Sequence, residues 1–472
     1  MKPRRKFPLA IAGVAFALVA VWASWRIGRP VLIVRHALPS PDLSARPAAL
    51  VSELDAATQQ SRSFFQAEAG LARLAQLYHA NGFYDEAIVC YEALVELRPQ
   101  EPRWPHLIAN IESTYGRIPE AVQWEERAIK LAPDAPVAHL RLADFFLKSN
   151  RLSEAEAAYL LVHRLQPANP YALLGVARCH LARQDLVGAR EFLREAIRVQ
   201  LDFSPAWALL SSLEEQSGNH ETAEAARKHS ERRFREVDDP WVDGLTDYCY
   251  DAYQLSVAAE TSKDRGRARE LLERAISLAP DASVYHCQIA KMLIAAGEKQ
   301  AARTHLEHAV KLSPTDSESW SALIALLIEL NDQAAGMKAL NEALQFCPQS
   351  GYLHFLNGNR LMAASRFDAA EQELQTSARL QPAEIRSYIQ LSRLYVSTNR
   401  FSSALTELNR ALAADPANLM VLNLLARLTV MTGDADAAAR WIHQVRSRPE
   451  TDRNDLGELT TLFRQQFGHD PF

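Results

Sequence analysis

The sequence predicts an all-α chain: a solenoid of stacked helix pairs behind an N-terminal transmembrane helix. Three observations predict it. Proline recurs every 34 residues, at Pro99, Pro133 and Pro167 and again at Pro280, Pro314, Pro348, Pro382 and Pro416. Twelve residues before each of these stands a small residue: Ala87, Ala121, Ala155, Ala268, Ala302, Gly336, Ala370 or Ala404. Ahead of them all, Phe7 to Trp25 is a run of 19 residues without a charge.

That run follows a basic tail, residues 1–6, with Lys2, Arg4, Arg5 and Lys6. As helix, 19 residues span roughly 28 Å, close to the ~30 Å hydrocarbon core of a bilayer. Trp22 and Trp25 stand where interfacial aromatics belong, and Arg26 and Arg29 close the segment. The basic flank predicts a cytoplasmic N-terminus and exported repeats, hence a single-pass protein of a bacterial inner membrane facing the periplasm. A cleaved signal peptide is the rival reading, with a poor cleavage site at Ala23-Ser24. Residues 26–66 carry Pro30, Pro39, Pro41 and Pro47 and read as a spacer with a short helix over 48–60.

From residue 68 the chain repeats. Eleven registers start near residues 68, 102, 136, 170, 204, 249, 283, 317, 351, 385 and 419, five of them within 68–237 and six within 249–452. A first helix presents apolar or aromatic residues at its fourth, seventh and eleventh positions, as in Trp320, Leu323 and Leu327. A turn follows, marked by Asn81-Gly82, Asn399-Arg400 or Gly433. The second helix has its small residue where it crosses the first, then a bulky one such as Tyr91, Tyr159 or Leu374. Proline stops it, because proline has no amide to donate. Neither helix can bury its stripe alone, so neighbouring pairs must stack.

This pattern of small, aromatic, alanine and proline marks resembles the tetratricopeptide repeat family over residues 68–452. The resemblance implies a right-handed α-α superhelix whose concave side is lined by the first helices and holds polypeptide. The whole chain also looks like bacterial inner-membrane-anchored repeat proteins, which adds no chemistry.

The frame breaks once. Eleven extra residues separate the registers at 204 and 249, around ERRFREVDDPWVDGLTDY at 231–248. The preceding helix reads as running long until Pro240 ends it, with an irregular insertion over 238–248. Trp241, Tyr250 and Tyr253 make a possible ligand surface there, since insertions in solenoids map to loops on one face. The plainer reading is a packed loop that bends the array. Residues 453–472 read as a capping helix, centred on LGELTTLFRQQF, and a tail.

Composition excludes several functions. A net charge of -5 over 472 residues argues against nucleic-acid binding, which requires a basic field. There is no glycine-rich phosphate loop, HExxH or nucleophile elbow, so no catalytic residue, cofactor or metal is expected. His286, His305 and His308 can be drawn as a metal trio. His286, however, fills the fourth, aromatic slot, and the other two flank the packing residues Leu306 and Ala309 and should face outward. Cys90, Cys179, Cys249, Cys287 and Cys347 show no CxxC spacing. Five unpaired thiols suit a reducing compartment and oppose the exported reading.

The family resemblance points to the ninth residue of each first helix as a ligand contact. Polar examples are Asn110, Arg178, Lys291, Asn359, Arg393 and Arg427. Arg386 and Gln390 join Arg393, and Asn423 joins Arg427, which makes the C-terminal stretch the favoured groove. Asn bridges main-chain amides and Arg forks a carboxylate. The expected partner is therefore a protein segment with acidic residues or a free C-terminus, held by a membrane-tethered scaffold for an envelope complex. Two alternatives stand beside it. One is a self-associating module, a homo-oligomer whose groove is filled by its own copy or spacer. The other is an accessory protein binding glycan or peptidoglycan, with Tyr352 and Phe355 as its support.

Overall fold

The computed structural model describes residues 33, 41–44, 46–230, 238–448 and 453–471. Every regular element among them is helical, and they fall into two bodies, Met1–Ala279 and Pro280–Phe472. The N-terminal body opens with α1 (Ala48–Arg62) and continues through five helix pairs. These are α2 (Ala67–Ala80) with α3 (Tyr84–Leu97), α4 (Arg103–Thr114) with α5 (Ile118–Leu131), and α6 (Pro136–Lys148) with α7 (Leu152–Leu165). Then come α8 (Pro170–Ala182) with α9 (Leu186–Val199) and α10 (Ser204–Gln216) with α11 (His220–His229). A single turn, α12 (Pro240–Asp243), and a 3-10 turn, Gly244–Tyr248, precede the sixth pair, α13 (Ala252–Thr261) and α14 (Arg265–Leu278).

The C-terminal body holds five pairs and one last helix. They are α15 (Ser283–Ala295) and α16 (Lys299–Leu312), α17 (Ser317–Glu329) and α18 (Gln333–Phe346), and α19 (Gly351–Ala363) and α20 (Phe367–Leu380). After them come α21 (Arg386–Ser397) and α22 (Phe401–Ala414), α23 (Leu419–Thr432) and α24 (Ala435–Arg446), then α25 (Arg453–Phe467). Leu459 and Phe463 of α25 are fully buried against Leu422, Ile442 and Val445. Burial of each such side chain contributes about 1.5–3 kcal/mol, so the open edge of the last pair is closed.

One backbone device sets every pair but the sixth. The turn between its helices carries a left-handed residue, at 82, 116, 150, 184 and 218 in the first body and 297, 331, 365, 399 and 433 in the second. The next amide then donates back over five residues, as Phe83 does to Tyr78 O (3.0 Å) and Arg400 to Tyr395 O (2.7 Å). That bond satisfies carbonyls that a helix end leaves open. Five of these positions are glycine, whereas Asn150, Gln184, Asn331, Ser365 and Asn399 hold the same conformation with a side chain.

The small residues do what their spacing predicts: Ala87, Ala121, Ala155, Ala302, Ala370 and Ala404 are wholly buried at the helix crossings. The fourth slot has a second duty. His139 Nε2 donates to Pro133 O (2.7 Å), Trp320 Nε1 to Pro314 O (2.7 Å) and Tyr388 Oη to Pro382 O (3.2 Å). Trp207 Nε1 donates likewise to Leu201 O (2.8 Å), in the repeat where leucine replaces the proline. An aromatic donor here therefore ties down the loop carbonyl that follows the cap of the preceding helix.

Two expectations are corrected. Residues 7–25 lie outside the described residues, and among the described residues no helix is long and apolar enough to cross a membrane. The longest have 15 residues, about 22 Å at 1.5 Å per residue, and spend one face on their neighbours. The transmembrane element of the fold class, the inner-membrane topology and the periplasmic placement are withdrawn with it. Secondly, Pro240 does not end a helix. It is the first residue of α12, capped by Asp239, whose Oδ1 accepts the amides of Trp241 and Val242 (both 3.2 Å). Proline suits that position because its missing amide would have gone unpaired there. Helix α11 closes at His229, and residues 231–237 lie outside the described residues.

Candidate functional site: the first-helix face of the N-terminal body

The insertion reaches back across the chain. Asn81, at the end of α2, is buried and its amide reads the insertion backbone on both sides. Nδ2 donates to Tyr248 O (2.8 Å) and Oδ1 accepts from Tyr250 N (2.8 Å). From α14, Arg274 donates to Thr246 O (3.0 Å), Asp247 O (3.2 Å) and Cys249 O (2.8 Å). Leu245 is buried in the core built by α1 to α4. The stretch is thus clamped between the first pair and the sixth.

Its centre is ionic. Asp239 is 1% exposed, and its Oδ2 accepts from His106 Nε2 (3.0 Å) on α4 and from Arg141 Nε (3.1 Å) on α6. His106 Nδ1 faces Glu125 Oε1 on α5 at 2.8 Å. Burial by itself would lower the pKa of His106, but the charges of Glu125 and Asp239 outweigh it and raise it to about 9. Burial would raise Asp239, yet His106, Arg141 and the Val242 amide hold it down to about 2. Glu125 is pushed upward by burial, and its Oε2 has no partner among the described residues. An imidazolium thus sits between two carboxylates out of reach of water, where breaking the set leaves a charge stranded.

Two cavities border this cluster, and both are lined by Asn110 and Arg141. The larger, about 1060 Å³, is enclosed by α2, α4, the insertion and α13 with α14. The smaller, about 580 Å³, follows the first helices of repeats 2 to 5. Ser113, Asp144, Lys148, Tyr171 and Arg178 line it as well. Asp144 is pushed toward its neutral form by burial, although Tyr159 Oη donates to it at 2.5 Å. Lys148 Nζ donates to Ser113 Oγ at 3.2 Å. Among the described residues, no carboxylate lies within ion-pair distance of Lys148 or Arg178. The cleft carries more cations than carboxylates, and its two outer cations are exposed, with the half-buried Asp144 feeling both charges.

The predicted residues divide accordingly. Asn110 and Arg178 line one cleft. In the C-terminal body, Gln390 Nε2 donates to Asn359 Oδ1 (2.9 Å) and Arg393 Nη1 to Gln390 Oε1 (3.4 Å), so these three form a row. The other predicted cations of that body are occupied. Lys291 pairs with Glu318, Arg386 with Glu384 (2.6 Å) and Arg427 with Glu458 of α25 (2.8 Å). Asn423 Nδ2 bonds Leu419 O within its own helix at 3.2 Å. Tyr352 and Phe355 stack on each other (6.1 Å), with the Arg386 guanidinium over both rings. Of the insertion aromatics, Trp241 meets the His106 ring edge-on at 4.8 Å, Tyr250 packs on the core, and Tyr253 is exposed at the larger cavity.

Sequence reading missed Arg141, Lys148, His106 and Asn81. The first three sit at the sixth, thirteenth and fifth positions of first helices, so the register that gave Asn110 and Arg178 would also have given them. Asn81 was legible only as a turn residue. His305, expected to face outward, is half-buried with its Nδ1 3.0 Å from His286 Nδ1, while His308 is exposed. Among the described residues no group of three or more His, Cys, Asp or Glu could hold a metal ion. All five cysteines are buried, and burial lifts Cys90 to about 12 and Cys179 to about 11.

Family models described as tetratricopeptide repeat match residues 72–136, 116–170 and 140–205, then 284–316 and 361–428. A human protein described as Protein O-mannosyl-transferase TMTC2 is 30% identical over 100 residues, which is 21% of this chain and 12% of that relative. Among solved structures, yeast Tom70 aligns over 85% of this chain and 96% of its own, at 14% identity and a TM-score of 0.37. PilW, titled a type IV pilus biogenesis factor, aligns over 39% of this chain and 86% of its own, at 20% identity and a TM-score of 0.35. Neither structure bears on what this chain binds. The family models match the repeats, and no helix among the described residues is long and apolar enough to cross a membrane, so the likeness to bacterial membrane-anchored repeat proteins is corrected to the repeats alone.

Proposed function

We propose that this array of tetratricopeptide repeats is a non-catalytic interaction scaffold that holds an extended polypeptide segment along the first helices of repeats 2 to 4. The repeat fold supports a general protein-binding role. The finer reading rests on one observation: Lys148 and Arg178 are exposed at a cleft of about 580 Å³, and neither makes a direct ion pair among the described residues, although the half-buried Asp144 between them feels both charges. A segment with two spaced carboxylates would pair with both. Both cations are exposed, so each such pair contributes about 0–1 kcal/mol, and reversal of either charge adds repulsion to that loss. The C-terminal groove is the weaker candidate because three of its cations already hold carboxylates.

The test is selection of peptides from a random display library on the whole chain, followed by anisotropy titration of the winners. Enrichment of Asp and Glu is expected, with affinity falling at least tenfold in Arg178→Glu and Lys148→Glu but unmoved in Arg427→Ala. Winners without acidic bias, or winners indifferent to both reversals, would sink the reading. A second reading has its own support, since part of the same face is already filled by the insertion: the array would be a self-contained structural module. Sedimentation that finds only monomer, together with a selection that yields no binder, would favour it.

A further inference from the structure

Residues 239–250 meet the first-helix face of repeats 1 to 3 in the manner of a bound peptide. Their regular structure is two single turns, and the side chains they bury are few: Asp239, Leu245 and Cys249. Val242, Tyr248 and Tyr250 pack in part on the core of α1 to α4, and Arg267 and Arg274 of α14 hold the segment from its other side. Toward the first helices its polar contacts are backbone bonds to Asn81, an aromatic edge against His106 and a carboxylate gripped by His106 and Arg141. Those apolar contacts hold a loop without burying charge, so packing alone does not require the ionic set. Buried ionic clusters are instead best attested where they fix register or choose a partner.

We propose that this face is a polypeptide-binding site for a segment with Asp-Pro followed by an aromatic residue and a leucine six residues after the Asp, and that residues 239–250 are its resident, displaceable occupant. The carboxylate sets position, because only an acceptor with two free lone pairs serves both His106 and Arg141. The Asn81 amide then fixes direction, since it needs a carbonyl and an amide two residues apart on the same edge. A foreign segment of the same pattern competes with the insertion. The site is separate from the Lys148 and Arg178 cleft and does not depend on the reading given to it, although Arg141 borders both.

The experiment uses the whole chain and a fluorescein-labelled peptide copying residues 238–250 with serine for Cys249. Native-state hydrogen exchange should show residues 239–250 opening at least tenfold more readily than α2 and α4, and more so with excess peptide. Asp239→Asn keeps the helix cap, because Asn caps as well as Asp, but removes the charge. That variant should bind the labelled peptide at least tenfold more tightly than the unaltered chain, and adding Asn81→Ala should abolish the gain. Exchange of 239–250 only with the global unfolding of α2 and α4 would overturn the proposal. So would a variant that releases the segment and still fails to bind the peptide. Should Asp239→Asn not fold, the exchange experiment on the unaltered chain decides alone.

Discussion

The first-helix faces of the two bodies are written in one 34-residue frame and end in opposite states. In the C-terminal body five pairs follow without interruption, and Lys291 and Arg427 are met by carboxylates about one repeat further on. Those pairs are largely exposed, where an ion pair contributes about 0–1 kcal/mol. In the N-terminal body the frame is broken by the insertion, and its Asp239 is carried onto a face 98 to 133 residues earlier in the chain. There the ions are buried, and two neighbouring cations stay open. Regular repetition neutralises its own surface; the interruption builds the unusual chemistry.

The sharpest way to break this comparison is to remove one ion from each face. His106→Ala strands Asp239 and Glu125 in the interior, and loss of one partner of a buried set costs about 3–5 kcal/mol. Lys291→Ala, at a pair open to solvent, should cost under about 1 kcal/mol. Chemical denaturation of the two variants measures both. Equal losses would mean that the buried cluster is not special.

The same cluster makes the N-terminal body sensitive to pH. His106 is held above its ordinary 6.5, so its contribution is complete below about 6.5 and is lost as pH rises through about 9. Asp239, lowered from 3.8 to about 2, contributes fully above 3.8 and loses its share as pH falls through about 2. Glu125 runs the other way, since its raised value makes ionisation a cost as pH climbs past its unfolded value. The groups facing His106 are Glu125, Asp239 and Arg141, with His79 nearby on α2. Hydrogen exchange of residues 239–250 between pH 7 and 10, corrected for intrinsic rate, should lose protection before the C-terminal body does.

Much of the fold could be read from periodicity. Prolines and alanines at fixed spacing encode helix ends and crossings, which are local steric facts. The polar cluster could not be read in the same way. His106, Arg141 and Asp239 lie far apart in sequence, and nothing in a repeat frame says where a loop will return. Asn81 shows the limit well: Asn-Gly marks a turn, while the two bonds its side chain makes to residues 248 and 250 depend on tertiary contact alone. The carboxylates beside Lys291, Arg386 and Arg427 escaped the sequence reading for a related reason, because a list of cations does not show what stands next to them. The 19-residue apolar run carried a membrane reading on its length, its basic flank and its tryptophans; it lies outside the described residues, and no described helix is long and apolar enough to cross a membrane.

Glycines sharpen the contrast at smaller scale. A Cβ on Gly175 would lie 2.3 Å from the Tyr159 ring, which is buried and pinned by its bond to Asp144. Gly175→Ala should cost about 1–3 kcal/mol, the usual range for overpacking. In the C-terminal body, at Gly358, two slots further along its first helix, the obstacle is Leu374 of the same pair at 2.6 Å, a side chain with no hydrogen bond to pin it. Gly358→Ala should cost less than Gly175→Ala, and thermal melts of the two variants compare them directly.

Gly336 is the opposite case and the smallest effect. It occupies the crossing slot that the other repeats give to alanine, in the interior of α18. A Cβ there would meet only Leu327 Cβ at 3.7 Å, an ordinary contact. Glycine inside a helix is destabilising by roughly 0.5–1 kcal/mol relative to alanine, because the unfolded chain is freer. Gly336→Ala should therefore raise stability by about that amount, with the gain confined to the C-terminal body. Denaturant titration followed by exchange at α17 and α18 would register it. A loss in its place would show that the second helix here crosses the first more closely than alanine permits, and that this repeat departs from the frame it shares with its neighbours.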